Sequence, residues 1–83
     1  MQSEQFVHNI RRKRVMGTDG KFIGQIKNIT FDERTGQLLR LVIRPDNTFD
    51  TSGFKVENEA ISIPFEAVKD ITDFIVVDRY MLH

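Results

Sequence analysis

Apolar and polar residues alternate in short runs along much of the chain, which is the pattern of half-buried β-strands. The pattern is clearest in residues 37–44, where Leu39, Leu41 and Ile43 alternate with their neighbours. Residues 21–31, just before this run, are rich in β-branched and aromatic side chains. We expect the two segments to pair as a long β-hairpin around which the rest of the chain is organised.

The residues between these strands have the composition of a hairpin loop. The sequence Asp32-Glu33-Arg34-Thr35-Gly36 begins with an acid that can accept hydrogen bonds from the backbone just after it. It ends with a glycine that can adopt positive φ where the loop rejoins the strand. The loop therefore sets the register of the hairpin.

The first hairpin strand departs from strict alternation. Ile26 and Ile29 are three residues apart, so they cannot face the same side of a regular strand. A β-bulge near Lys27 and Asn28 would bring both side chains to the same side. Because bulges bend strands and increase twist, this one favours a sheet that curls into a small barrel.

The remaining segments predict short elements separated by turns. Residues 17–20, Gly-Thr-Asp-Gly, match the GXXG pattern of a KH domain, but strands flank them, so we predict a tight turn. Pro45 ends the second hairpin strand. The later elements are a strand at Ile61 to Pro64, a helical turn at Phe65 to Val68, and strands at Lys69 to Ile71 and Phe74 to Asp78.

A long loop covers residues 46–60 and contains two phenylalanines, Phe49 and Phe54. Loops of this length are often functional, so exposed aromatic side chains here would be partner contacts. The alternative is that both rings close an open end of the barrel and complete a small core. The C-terminal Tyr80, Met81 and Leu82 raise the same question, because they either dock on the barrel or contact a neighbour.

Length and composition predict one small domain. We assign residues 1–9 to a flexible N-terminal tail, with a partner-binding segment as the alternative, and residues 10–83 to the domain. The chain has 83 residues and no cysteine, so a second copy is a reasonable source of additional buried surface. No stretch has the length of a membrane span or the pattern of a signal peptide, and we expect a cytoplasmic protein.

Charge is distributed unevenly although the formal net charge is zero. Residues 1–44 contain nine Lys and Arg against four Asp and Glu, and residues 45–83 contain three against eight. This asymmetry favours docking between complementary charged surfaces. The most basic run is Arg11, Arg12, Lys13 and Arg14, which is either an anionic-surface contact or a solvated strand edge that discourages aggregation.

The sequence offers little for catalysis. The histidines are His8 and His83, at opposite ends of the chain, and there is no cysteine nucleophile. Six of the twelve acids fall in predicted turns, where their ordinary role is capping and backbone hydrogen bonding: Asp32, Glu33, Asp46, Asp50, Asp70 and Asp73. No calcium loop, P-loop or dinucleotide fingerprint is present. We therefore expect no catalytic residue, no metal site and no cofactor.

An ordered set of short motifs resembles the PRC-barrel domain. The set comprises Asp19-Gly20-Lys21-Phe22-Ile23-Gly24-Gln25-Ile26, Phe31-Asp32, Thr35-Gly36, Leu41-Val42-Ile43, Ile63-Pro64-Phe65-Glu66-Ala67-Val68, Ile71-Thr72-Asp73 and Ile75-Val76-Val77. The resemblance implies an all-β fold, a small and strongly bent antiparallel β-barrel of about six strands with one short helical turn.

The resemblance also implies a function. Short stand-alone archaeal PRC-barrel proteins act in cell division with SepF, the membrane anchor of the FtsZ ring, and form homodimers or heterodimers. By this resemblance we expect a non-catalytic adaptor that binds a SepF-like protein or another PRC-barrel protein at the division site. The candidate contacts, chosen by expected exposure, are Phe49, Phe54, Tyr80, Met81 and Leu82. The alternative is a ribosome- or RNA-associated module, like the PRC domain of the small-subunit maturation factor, in which Arg11 to Arg14 would contact RNA. Apart from this alternative, we expect no nucleic acid partner.

Overall fold

A computed structural model describes residues 10–11 and 13–81, and this part of the chain forms six strands and two short 3₁₀ turns. The strands are β1 (Arg14–Gly17), β2 (Phe22–Phe31), β3 (Leu38–Pro45), β4 (Ile61–Pro64), β5 (Val68–Ile71) and β6 (Phe74–Val77). The 3₁₀ turns lie at Phe65–Ala67, between β4 and β5, and at Arg79–Met81, after β6. The predicted tail, residues 1–9, lies outside the described residues.

All six strands belong to one sheet in the order β4-β3-β2-β1-β6-β5. The ladders β1·β2, β2·β3, β3·β4 and β5·β6 are antiparallel, and β1 pairs with β6 in parallel. This parallel ladder joins the two ends of the chain, since it places Arg14 beside Phe74. The edge strands β4 and β5 are connected by the first 3₁₀ turn and form no ladder with each other in the described part of the chain. The sheet is therefore curled like a barrel and open at one seam.

The predicted bulge in the first hairpin strand is confirmed. The β2·β3 register shifts between Ile26 and Asn28, so that Ile26 pairs with Ile43 and Asn28 with Val42. Ile26 and Ile29 are both buried as a result. A second shift follows at Thr30 and Phe31, and these two irregularities help to bend the longest strand of the sheet.

The hairpin loop is also as predicted. A carboxylate oxygen of Asp32 accepts hydrogen bonds from the backbone N–H of Arg34 at 2.8 Å and of Thr35 at 3.4 Å. Gly36 has φ +75°, a conformation that costs glycine little and other residues more. Hydrogen bonds within the loop thus support the connection between β2 and β3.

An aliphatic core fills the inside of the curled sheet. Its buried strand residues come from alternating positions of β1, β2, β3, β4 and β6, and the half-buried Val68 and Ile71 of β5 pack against it. Its fully buried large side chains are Ile10, Val15, Ile23, Leu41, Ile43, Ile61, Ile63, Ile75 and Val77. Buried residues of the described chain include no polar or charged side chain. The predicted fold class is confirmed: an all-β, six-stranded, strongly curled barrel-like fold.

Candidate functional site

Three segments meet at one end of the barrel: the turn after β1, the start of the long loop after β3, and the C-terminal 3₁₀ turn. Backbone hydrogen bonds hold them there. Thr18 N–H donates to the Val77 carbonyl at 2.9 Å, and Asp46 N–H donates to the Ile23 carbonyl at 2.8 Å. Arg79 N–H donates to the Thr18 hydroxyl at 3.3 Å. We call this region the aromatic end, because its side chains include Phe22, Phe49, Phe54 and Tyr80.

Arg79 links the turn, the loop and the C-terminal segment. Its guanidinium group lies 4.9 Å from the ring centroid of Phe49, and its Nε lies 3.4 Å from a carboxylate oxygen of Asp19. The rings of Phe49 and Phe54 are 5.6 Å apart and inclined by 54°. Nη1 of Arg79 is buried and has no hydrogen-bond partner within the described chain. The guanidinium is thus held from two sides and retains a donor.

A second arginine makes a similar arrangement beside the first. Arg14 places its guanidinium 3.8 Å from the ring centroid of Phe22 and forms an ion pair with Asp46 at 3.1 Å. Phe22 in turn contacts Phe74 edge to face, with 5.4 Å between ring centroids. An open cleft of about 520 Å³ lies between the two arginines and is lined by Phe22, Phe49 and both guanidinium groups. The cleft combines aromatic faces with cationic donors.

Two acids at this end, Asp19 and Asp50, have pKa values below the ordinary value of 3.8. For Asp19 the main cause is the hydrogen bond that its carboxylate accepts from the Lys21 N–H, with Arg79 adding a further lowering of the pKa. For Asp50 the pKa falls chiefly because Ser52 donates hydrogen bonds to the carboxylate, and Arg79 again contributes. Both acids are therefore charged at neutral pH, where they balance the arginines.

The structure brings most of the predicted contact residues to this end. Phe49 and Phe54 are half-buried and pack against the core, so they help to close the barrel and still present part of each ring. Tyr80 is 91% exposed and Met81 is 43% exposed on the C-terminal 3₁₀ turn. Leu82 lies outside the described residues.

The predicted basic run does not form one patch among its described members. Arg11 donates to the Asn28 side chain at 3.4 Å, Lys13 donates to the Thr72 carbonyl, and Arg14 pairs with Asp46. These three side chains therefore contact three separate parts of the fold. Arg12 lies outside the described residues.

Sequence reasoning missed Phe22, Phe74 and Arg79 as members of this site. Phe22 could have been assigned to the outer face of the sheet from its position next to the inward-facing Ile23, since successive residues of a strand face opposite sides. Phe74 and Arg79 carried no such local signal. Their positions depend on the parallel pairing of β1 with β6.

The described residues contain no group of three or more side chains suited to holding a metal ion. Across the same part of the chain, no helix is long and apolar enough to cross a membrane. His8 and His83 lie outside the described residues.

Comparison with known proteins agrees with this picture. The family model of the PRC-barrel domain matches residues 3–80. An uncharacterized protein of the archaeon Methanocaldococcus jannaschii is 32% identical over 69 residues, which is 83% of this chain and 75% of that protein. PRC-barrel domains are usually non-catalytic modules that bind other proteins. The match covers nearly the whole chain, and the protein therefore belongs to the PRC-barrel domain family.

Proposed function

We propose that this protein is a non-catalytic adaptor that binds another protein through the aromatic end of its barrel. The observation that carries the proposal is the exposure of Tyr80, at 91%, on a turn that neighbouring groups hold in place. Tyrosine and arginine are the side chains most enriched among the residues that dominate binding energy at interfaces. Arg79 lines the open cleft, and Tyr80 follows it directly in the chain.

The support for Tyr80 is ordered before any partner arrives. Tyr80 N–H donates to the Asp78 carboxylate at 2.9 Å, and the adjacent Arg79 is bonded to both Asp19 and Thr18. Presenting an aromatic side chain on an ordered backbone reduces the conformational entropy lost on binding. This is the property expected of an interaction anchor, and Met81 extends the apolar surface beside it.

The specific pathway that we propose is FtsZ-based cell division in archaea. The partner would be a SepF-like membrane anchor, a second PRC-barrel protein, or both, with this chain acting as part of a dimer. The support is the resemblance in size and domain content to stand-alone archaeal PRC-barrel proteins, together with the archaeal relative. The ribosome-linked alternative relied on the basic run, and the described members of that run are each bonded to a different part of the fold.

The experiment that tests this function is recovery of the tagged protein from its native cells, with partners identified by mass spectrometry. We expect a SepF-like protein, FtsZ or another PRC-barrel protein to be enriched. The direct interaction is then measured by isothermal titration with the purified partner, and the mass of the free protein is measured by light scattering. Enrichment of ribosomal proteins and RNA in place of division proteins would contradict the proposal.

A further inference from the structure

A second surface lies on the outer side of β2, β3 and β4, away from the aromatic end. Leu41 and Ile43 of β3 are buried in the core, and the intervening positions Arg40, Val42 and Arg44 belong to the opposite face. The register places Val42 beside Asn28 of β2 and Ser62 of β4. Four residues of the following loop, Lys55, Glu57, Asn58 and Ala60, form the rim at one side of an open cleft of about 520 Å³. We call it the basic cleft.

Positive charges outnumber negative ones in the lining of the basic cleft. Its lining contains the cations Lys27, Arg40 and Lys55 and a single acid, Glu57. Glu57 is paired with Lys55 at 2.9 Å. Lys27 and Arg40 form no ion pair with a carboxylate within the described part of the chain. Arg44, which continues the same face, likewise has no acidic partner there, so the surface carries an excess of positive charge.

Neutral partners hold the two unpaired cations in place. Lys27 donates from Nζ to the Asn58 carbonyl at 2.9 Å. Arg40 donates to the Ser62 hydroxyl at 2.6 Å and to the Ser62 carbonyl at 3.1 Å. Each side chain keeps further N–H donors, because an ammonium group has three and a guanidinium group has five. The cleft therefore presents positioned donors whose charge the protein itself leaves uncompensated.

The lining favours carboxylates of a protein over nucleic acid. Proteins that bind single-stranded nucleic acid combine basic grooves with aromatic faces on which the bases stack. Among the described residues, no aromatic side chain lines the basic cleft, and the apolar side chains of its lining are Val42, Ala60 and Ile61. An extended peptide with several Asp or Glu residues fits this lining, because its carboxylates can bind the cations and its aliphatic atoms can contact the apolar side chains of the cleft.

We propose that the basic cleft binds an acidic peptide segment of a partner protein, with Lys27 and Arg40 as its main carboxylate contacts. The inference goes beyond the adaptor function proposed above, because it assigns a second site. The two clefts share no lining residue. Substitutions in the lining of one cleft therefore leave the lining of the other unchanged, so failure of this proposal can be distinguished from failure of the adaptor function.

The test is a titration of the ¹⁵N-labelled full chain with a hexaglutamate peptide whose termini are blocked, followed by amide chemical shifts. We expect saturable shifts at Asn28, Val42 and Ser62, without matching shifts at Phe49 and Tyr80. Affinity should fall as salt is raised, since the contacts are solvent-exposed charge pairs. A parallel titration uses a hexathymidine oligonucleotide as the nucleic acid probe, and light scattering gives the mass of the free protein.

Two charge-matched variants complete the test. Lys27→Gln with Arg40→Gln removes the proposed contacts, and we expect the dissociation constant to rise about tenfold, as for the loss of two exposed charge contacts. Arg34→Gln with Lys69→Gln removes the same charge from exposed side chains that line neither cleft, and its dissociation constant should stay within about twofold. Four results would each overturn the proposal. Two concern the peptide: no localised shifts, or equal weakening of binding in both variants. The others are tighter binding of the oligonucleotide at the same residues and a dimer that buries the cleft.

Discussion

Gly24 is the position where one added carbon atom has the largest predicted effect. It lies in β2 opposite Pro45 of β3. A Cβ atom at this position would lie 2.1 Å from the Arg44 carbonyl oxygen and 2.8 Å from the Pro45 Cα. Ordinary contacts begin at 3.4 Å, so the neighbouring strand would have to move by about 1.3 Å. The atoms in the way belong to the backbone, which a rotamer change cannot relieve.

The free-energy cost of Gly24→Ala can be estimated from this geometry. Overpacking that moves backbone costs about 1–3 kcal/mol or more. Displacing β3 also disturbs ladder hydrogen bonds, which contribute about 0.5–1.5 kcal/mol each. We therefore expect a loss of about 3–5 kcal/mol from a total stability that is about 4–12 kcal/mol for 83 residues. At about 4–8 °C per kcal/mol, Tm should fall by at least about 12 °C.

The assay is thermal and urea unfolding followed by circular dichroism, with Gly36→Ala as the control. Gly36 has positive φ but open space around it, so an alanine there should cost only about 1–2 kcal/mol of conformational strain. Gly36→Asn should recover part of that loss, because asparagine adopts the left-handed conformation more readily. A Gly24→Ala protein within about 1 kcal/mol of the wild type would refute the reasoning.

Three further predictions follow from the core and the aromatic end. Leu41→Ala should reduce the free energy of unfolding by about 2–5 kcal/mol in urea titrations, because the side chain is fully buried; a loss below about 1 kcal/mol would contradict this core assignment. The pKa of Asp19 is lowered in the folded state, so its stabilisation is present above the ordinary value of 3.8 and is lost as pH falls through the lower folded pKa. The Tm difference between the wild type and Asp19→Asn should therefore be present at about pH 6 and shrink at about pH 2.5, and a difference that stays constant would argue against it. Gly24→Ala protein that remains folded should bind the partner more weakly, because the displaced strand β3 leads directly into the loop that carries Phe49. Titration with the purified partner checks this prediction. Unchanged affinity would show that the position of β3 does not affect the binding site.

The local features of the fold could be predicted because they depend on neighbouring residues. The spacing of Ile26 and Ile29 required a bulge, and the structure has one between Ile26 and Asn28. The composition of residues 32–36 required a tight loop ending in positive φ, and Gly36 has φ +75°. Period-2 alternation likewise identified Leu41 and Ile43 as inward-facing residues of β3, whereas Leu39 of the same series is 43% exposed. Each of these features follows from backbone geometry over a few residues.

The make-up of the aromatic end could be predicted only in part. Exposure arguments named Phe49, Tyr80 and Met81, since large apolar residues in loops and at termini have few places to be buried. The stacking of Arg79 on Phe49 could not be foreseen, because it requires the C-terminus to return to the loop after β3. That return depends on the parallel β1·β6 ladder, which joins residues about 60 positions apart and has no local sequence signal.

The central claim is that the aromatic end binds the partner protein, and isothermal titration of surface variants tests it most directly. Met81 and Leu39 are each 43% exposed, and Leu39 lies on β3 outside the aromatic end, so Leu39→Ala is a matched control for Met81→Ala. The account predicts that Tyr80→Ala weakens partner binding by about 30-fold or more, the effect of losing an interface anchor of 2 kcal/mol or more. Met81→Ala should weaken binding to a smaller degree, and Leu39→Ala should leave it unchanged. Wild-type affinity in Tyr80→Ala, with Leu39→Ala impaired, would contradict the claim and move the interface to the other end of the barrel.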